Sequence, residues 1–393
     1  MTTTSDSDTH HADVLVIGGG IGGVSLAYEL AGDHRVTLLE REKTLAFHTT
    51  GRSAALFLET YGNNAIRALT TASREFLENP PEHFRSELLA PRPLLQFAAT
   101  GRGDALEAMY ADVSRLTPDA QLVSPADART FFPPLRPELI DCALYEPHSM
   151  EVDVHALHQG YVRGLRRRGG HVHTGTGVSA LRRTGGLWHA NSTDGSTHTA
   201  PIVVDAAGAW ADALGAMAGA EPIGLVPMRR SVFMVAAPDN LDTAHLATLS
   251  DIDEKFYIKP EGRSGARGTT MGNGRLLCSP ADETPTEPSD ARPDELEIAR
   301  AFDDIGEATT LTARHVRSSW AGLRSFVPDR TPVVGFDPTV EGFFWCAGQG
   351  GYGIQTCAAL ARVGAALVRR EPLPVDVASR GLSEADLTPH RLR

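Results

Sequence analysis

Gly18, Gly20 and Gly23 follow one another as Gly-x-Gly-x-x-Gly, directly after an apolar run at residues 14–17. The chemistry open to this spacing is the holding of a dinucleotide pyrophosphate. Gly18 permits a tight turn, Gly20 lets the backbone approach the phosphates, and Gly23 lets the following helix pack on the strand. Ile21, Val24, Ala27 and Leu30 recur at helical spacing, so a helix starts at Ile21 and Gly22 and turns its free N–H groups toward the phosphates. A second apolar run, residues 36–39, ends in Glu40, 22 residues after Gly18, where an acid can accept hydrogen bonds from the adenosine ribose. The glycines alone are a weak signal. Between two strands, with the acid at this distance, they predict a nucleotide-binding βαβ unit.

The fingerprint does not separate NAD from FAD. Its place near the N-terminus favours FAD, whose adenosine half anchors there. Residues 49–53 read Thr49-Thr50-Gly51-Arg52-Ser53, small and hydroxylated with one arginine, which suits contact with the diphosphate and the flavin edge. Some three hundred residues on, a strand-like run at 342–347 leads into Gly348-Gln-Gly350-Gly351-Tyr352-Gly353 and a helix over 354–368. A helix N-terminus there would stabilise negative charge on a reduced flavin. A third strand, residues 201–205, ends in small residues up to Gly208 and Trp210 and permits close approach of a ligand.

These elements sit in a chain of 393 residues, long enough for two or three domains. The formal net charge of −12 argues against nucleic acid as a partner, because phosphate backbones need a basic field. Four cysteines without a Cys-x-x-Cys pair signal neither a disulfide framework nor a zinc site, and are expected as thiols in a reducing cytoplasm. No apolar run reaches transmembrane length, and the first eleven residues, with no basic and apolar blocks, are expected to be a disordered polar tail rather than a signal peptide. Helices are expected over 63–78, 154–167 and from 211, with two short ones within 101–132. Strands are expected at 94–98, 171–178, 180–182, 187–192, 226–236, 256–260, 276–278 and 332–335. Residues 261–275, rich in Gly and Arg, read as an exposed loop. His171 and His173 share one strand face, but with no third ligand nearby no metal site is expected.

Three blocks, VIGGGIGGVSLAYEL…LLE, VVDAAGAWAD and PVVGF…GFFWCAGQGGYGIQT, resemble the glycine oxidase/D-amino-acid oxidase superfamily of flavoproteins. HTTGRSAA, PMRRSVF, KFYIKP and WAGLRSFVPD resemble its bacterial FAD-dependent D-arginine dehydrogenases, and the similarity covers nearly the whole chain from Ala12. It implies an α/β fold: a Rossmann-like FAD-binding domain, discontinuous over 12–84, 148–212 and 322–393, with a sheet-rich substrate domain over 85–147 and 213–321. It extends the cofactor contacts to Arg41, Ala54, Val178, Ala207, Ile354 and Gln355. Some relatives attach flavin to a cysteine within 322–329. None occurs here, so FAD is expected to be non-covalent.

The resemblance also implies the site. Substrates of the family carry an α-carboxylate, which a guanidinium fork matches bidentately. Arg230, Arg324, Tyr257 and Tyr61 fall at the positions that hold it, and Gly351 at the backbone carbonyl facing the substrate amine. The implied reaction is hydride transfer from Cα to the flavin, giving an imine that water hydrolyses to a 2-oxo acid and ammonia. Two departures stand out. Relatives carry an acid just after Pro-Arg-Pro, where this chain has Leu94, and a His and a Thr where it has Leu56 and Leu58. The three leucines point to an apolar side chain, with D-arginine and D-lysine expected to be poor substrates. Glu59 could replace the missing acid but is more simply a solvent-facing residue. The alternatives are a 2-hydroxy acid or secondary-amine (sarcosine-like) oxidoreductase on the same fold, and a non-catalytic flavin-binding protein.

Overall fold

The structure, a computed structural model, describes residues 9–261, 274–313 and 315–393. Its centre is a six-stranded sheet in the order His171–Thr174, Val36–Glu40, Val14–Ile17, Ile202–Asp205, Phe343–Ala347, Val333–Phe336. All neighbours are parallel except the last pair. Apart from the polar, partly exposed edge strand His171–Thr174, the strands are largely apolar on both faces because both faces are covered. Val14 and Val16 join a core with the helices Ile21–Leu30, Val154–Arg167 and Gly353–Arg369. Leu15 and Ile17, pointing the other way, pack with Trp188, Leu214, Phe343 and Trp345 beneath a second, four-stranded sheet.

A larger sheet of nine strands is built from residues 94–146 and 226–326. Its path runs Thr284–Pro285, Val226–Ala236, Arg275–Ser279, Tyr257–Glu261, Thr248–Asp251, Leu94–Ala99, Ile140–Glu146, Gln121–Val123, with Ser318–Phe326 paired to Val226–Ala236. Strand alternation divides its two faces. Leu95, Phe97, Phe233, Leu249 and Ile258 pack with Ala128 and with Ile298, Ala301 and Ile305 of the helix Glu295–Ala308. Their neighbours Leu94, Gln96, Val232, Thr248, Ser250, Tyr257 and Lys259 turn to the opposite face and line a cavity. The boundary expected at residue 322 falls inside the strand Ser318–Phe326.

The end of the expected disordered tail is ordered. Thr9–His11 is a strand parallel to Thr197–Ala200, and residues 1–8 lie outside the described residues. Side chains hold it: His11 Nδ1 lies 2.6 Å from Thr199 Oγ1, and the His10 ring stacks on its register partner His198 at 5.0 Å. His173 completes a triad of rings, 5.1 Å from His198 and 5.8 Å from His10. Among the described residues no group of His, Cys, Asp and Glu is arranged to hold a metal. Of the loop expected at 261–275, Glu261 and Arg275 instead pair in register as strand ends, and residues 262–273 lie outside the described residues.

Burial, and then the charges His173 and His10 would carry, push the His198 pKa down to about 4, with Asp194 opposing. His198 is therefore neutral in the fold, whereas an unfolded histidine protonates near its ordinary pKa of about 6.5. The unfolded chain takes up more protons between these values, so stability should fall as pH drops from about 6.5 toward about 4. His198→Gln should flatten that part of a melting-temperature profile against pH. An unchanged profile would remove the histidine triad as its source.

Candidate active site

A cavity of about 400 Å³ runs from the first helix start to the polar face of the large sheet. Two helix N-termini open on it. In the helix Ile21–Leu30 the first internal bond is Val24 N–H to Gly20 O, at 3.0 Å, and the Ile21 N–H is taken by Thr50 Oγ1 at 3.0 Å. In the helix Gly353–Arg369 the first is Thr356 N–H to Tyr352 O, at 3.1 Å. The preceding N–H groups have no acceptor within their own helix, and Gly20, Ile21, Gly22, Gly353, Ile354 and Gln355 line the cavity. Gly18 makes the first turn possible: its φ is 116°, and a Cβ there would lie 2.2 Å from the Ala206 carbonyl oxygen. Buried His158 braces the turn from below, its Nε2–H donating to Gly19 O at 2.9 Å.

Of the expected cofactor contacts, Thr50, Ser53, Ala54, Gly208, Gly350 and Gly351 also line the cavity. Gly18, Gly23, Glu40, Arg41, Gly51, Val178, Ala207, Trp210 and Tyr352 do not. Several of these have protein partners that explain their place. Glu40 accepts the Gly19 and Glu42 N–H groups, both at 2.8 Å, so its carboxylate is fixed at the end of the βαβ unit. Arg41 lies 3.8 Å over the Trp210 ring. Tyr352 is buried against Tyr61 and Phe326 and is a packing residue. Arg52 does reach the cavity, but its guanidinium binds Asp290 and the Ala291 and Ala321 carbonyls and is not free for a diphosphate. The Gln355 side chain is likewise committed, to the Leu58 N–H at 3.2 Å and to Thr70 Oγ1 at 2.9 Å. The cavity thus offers a backbone cradle with two helix starts, which fits an elongated dinucleotide with charge at both its phosphates and its ring. Cys346 lines it too, but burial pushes its pKa up to about 12, which keeps it a thiol.

Arg230, Arg324, Tyr61 and Tyr257 meet on the same cavity. Arg324 stands on Ser318–Phe326 and Arg230 on Val226–Ala236, two paired strands. Arg324 Nη2 donates to the Tyr61 hydroxyl at 2.9 Å. The backbone of Gly351 passes so close that a Cβ there would lie 1.7 Å from Arg324 Nη2. Behind the pair sits Glu283, which does not line the cavity. Its Oε1 lies 2.8 Å from Arg324 Nη1 and 3.2 Å from Arg230 Nη2, and Arg330 Nη2 reaches both its oxygens, at 2.9 and 3.0 Å. Burial, and then the Arg324 charge, lower the Arg230 pKa. For Arg324 burial acts the same way, but Tyr61 and Glu283 outweigh it and the pKa rises. Both side chains remain cationic. Glu283 lies in a Ser-Pro-Ala-Asp-Glu-Thr-Pro stretch that carries no sequence sign of this pairing.

Leu56, Leu58 and Leu94 line the cavity beyond the arginines, as do Met109 and Val113. Glu59 does not, nor does it face solvent: it is bound by Arg74, with Nη2 to Oε2 at 2.5 Å. The expectation of a wholly apolar end needs correction on a different residue. Glu146, paired in register opposite Leu94, is buried and lines the same cavity. Removing Glu283 would leave two largely buried guanidinium groups without their counter-charge, a loss that costs about 3–5 kcal/mol for a fully buried pair and less here, where Glu283 is partly exposed. Glu283→Ala should therefore lower the melting temperature by several degrees and Glu283→Asp by less. A Glu283→Ala protein as stable as wild type would show that the arginines need no such partner.

Residues 13–367 match the family model of the DAO FAD-dependent oxidoreductases. The chain is 27% identical over 392 residues to the glycine oxidase of Geobacillus kaustophilus, covering 95% of this chain and 97% of that one. The crystal structure of that enzyme superposes with a TM-score of 0.80 at 25% identity, covering 94% of this chain and 98% of the other. The chain is also 25% identical over 349 residues to human mitochondrial sarcosine dehydrogenase, over 85% of this chain; it spans only 37% of that longer protein. At 19% identity, the L-α-glycerophosphate oxidase of Mycoplasma pneumoniae with FAD bound shares the fold, with a TM-score of 0.78 over 92% of this chain and 95% of that one. Among the described residues no helix is long and apolar enough to cross a membrane. The chain belongs to the DAO family of FAD-dependent oxidoreductases, and its cofactor is FAD.

Proposed function

We propose that this protein oxidises the Cα–N bond of a D-amino acid, with the apolar part of the side chain packed on Leu56, Leu58 and Leu94. The observation that carries this reading is the pair of buried Arg324 and partly buried Arg230, side by side on the cavity that also receives the helix start at Gly353. FAD, when bound, supplies the two-electron acceptor. The chain supplies recognition and placement. Arg324 and Arg230, with Tyr61 and Tyr257, hold the α-carboxylate; holding it fixes Cα in position, and such placement can account for much of a rate enhancement. The Gly351 carbonyl, set beside Arg324 by the close backbone approach, accepts from the substrate nitrogen. Hydride transfer from Cα requires the neutral amine, and the imine formed from it is hydrolysed by water to the 2-oxo acid and ammonia; among the described residues no histidine lines the cavity. The D configuration rests on the resemblance to D-arginine dehydrogenases. Non-covalent attachment of FAD rests on the absence of a cysteine from 322–329 and on the thiol state of Cys346. The four cysteines, none in a disulfide, suit a cytoplasmic protein. The similarity to sarcosine dehydrogenase favours a secondary amine as the second reading, and a 2-hydroxy acid could also donate to the Gly351 carbonyl.

Under anaerobic conditions, the flavin absorbance of the purified protein should bleach with D-amino acids and not with their L-enantiomers. Bleaching by sarcosine or 2-hydroxy acids alone would transfer the assignment to the second reading. Arg324→Ala should nearly abolish bleaching with flavin still bound, and wild-type rates in that variant would remove the clamp from the mechanism. Acid precipitation should release the yellow chromophore into the supernatant; colour held in the pellet would show a covalent bond.

A further inference from the structure

Beyond the arginine pair, the charged side chains of the cavity wall are already answered. Lys259 Nζ lies 2.8 Å from both Glu151 and Glu261. Glu146 accepts from Thr60 Oγ1 at 2.8 Å and faces the charge of Arg67, which is itself paired with Asp112. Glu254, the remaining acid of the lining, is exposed to water. What this end of the cavity lacks is a hydrogen bond. Thr248 is 1% exposed and lines the cavity, yet its Oγ1 has no partner among the described residues. A hydroxyl buried in that state is costly. One other lining hydroxyl shares it, that of Ser325, but Ser325 stands at the cofactor end, where its carbonyl accepts from the Gly350 N–H at 2.9 Å.

Two ladders locate Thr248. Ser250, on the same strand, pairs in register with Tyr257, a residue of the carboxylate clamp. Thr248 is two residues back on the same face, so it is a diagonal neighbour of Tyr257, about 7–8 Å away between Cα atoms. On its other side Thr248 pairs with Leu94, and Ser250 with Gln96. A side chain that packs its methylenes on Leu94 therefore ends beside Thr248, with Ser250 and Gln96 in the adjoining row of the same wall. A carboxamide matches this group: its oxygen accepts from the Thr248 hydroxyl, and its NH2 donates to the Ser250 hydroxyl or the Gln96 amide oxygen.

We propose that Thr248 is a specificity-determining residue, whose hydroxyl hydrogen-bonds an uncharged carboxamide at the end of the substrate's side chain. The proposal rests on the amino-acid reading above and refines it. Leu56, Leu58 and Leu94 enclose the methylene stem, and the tip of the side chain is polar but carries no charge, as in D-glutamine.

The test separates the subsite from the reaction. Two carboxylates that lack an amine, glutaramate and its apolar isostere 5-methylhexanoate, are titrated calorimetrically into FAD-loaded wild type, Thr248→Val and Thr248→Ser. Thr248→Val keeps the shape of the side chain and removes the hydroxyl. Glutaramate should bind wild type and bind Thr248→Val about tenfold more weakly, the loss of one buried hydrogen bond. 5-Methylhexanoate, which leaves the wild-type hydroxyl unpaired, should bind Thr248→Val more tightly than wild type. Thr248→Ser should keep most of the glutaramate affinity. Equal glutaramate binding to wild type and Thr248→Val, an equal loss for both ligands, or binding of 5-methylhexanoate alone to wild type overturns the proposal. Failure of both ligands to bind wild type removes the carboxylate clamp and this proposal with it. In anaerobic bleaching, the kcat/KM ratio of D-glutamine to D-homoleucine should fall about tenfold in Thr248→Val, through KM; an unchanged ratio also overturns it. If no D-amino acid bleaches the flavin in any of these proteins, the reading of the function fails, and the two carboxylates still decide the subsite.

Discussion

Two guanidinium groups do not settle side by side in a buried wall unless an anion is shared between them. Glu283 is that anion. It lies behind Arg230 and Arg324, ties in Arg330, and leaves the cavity-facing side of the pair for something else. Three arginines on one carboxylate leave the cluster net positive, so a second carboxylate arriving from the cavity is attracted rather than repelled. The strands follow from this constraint. Val226–Ala236 and Ser318–Phe326 must pair so that Arg230 and Arg324 emerge together, and the loop that bears Glu283 must return beside Val226–Ala236, where Thr284–Pro285 is paired.

The rest of the site is placed by strand alternation. A nine-stranded sheet has two faces, and packing the helix Glu295–Ala308 on one leaves the other for the cavity. On Leu94–Ala99 alone, Leu95 and Phe97 go to the core while Leu94 and Gln96 go to the cavity. A slip of one residue in register would exchange these sets. The stability of the domain and the composition of the pocket are therefore settled by the same pattern of hydrogen bonds.

What could be read from the sequence was local. The βαβ fingerprint, the glycine turn before Gly353–Arg369 and the strand Val226–Ala236 announce themselves within a few residues, through periodicity and glycine placement. What could not be read was where polar side chains find partners. Arg52 and Gln355 are of types that suit a cofactor, yet Asp290 lies 238 positions from Arg52 and Thr70 lies 285 from Gln355. Thr9–His11 has the composition of a tail and becomes a strand only because Thr197–Ala200 offers an open edge and His198 a ring to stack on. Glu59 reads as a solvent-facing acid until Arg74 is seen to claim it.

The same limit bears on the acid of the distal cavity. Leu94, considered alone, says that a charge is absent, and a one-dimensional comparison of positions goes no further. Paired strands place residues 94 and 146 next to each other on one face, with side chains about 5 Å apart at their Cβ atoms. A carboxylate can therefore move from one strand to the next and still serve the same volume of space. Which charges a pocket holds depends on which residues the strands bring to its wall, so they have to be read across the ladder rather than along the chain.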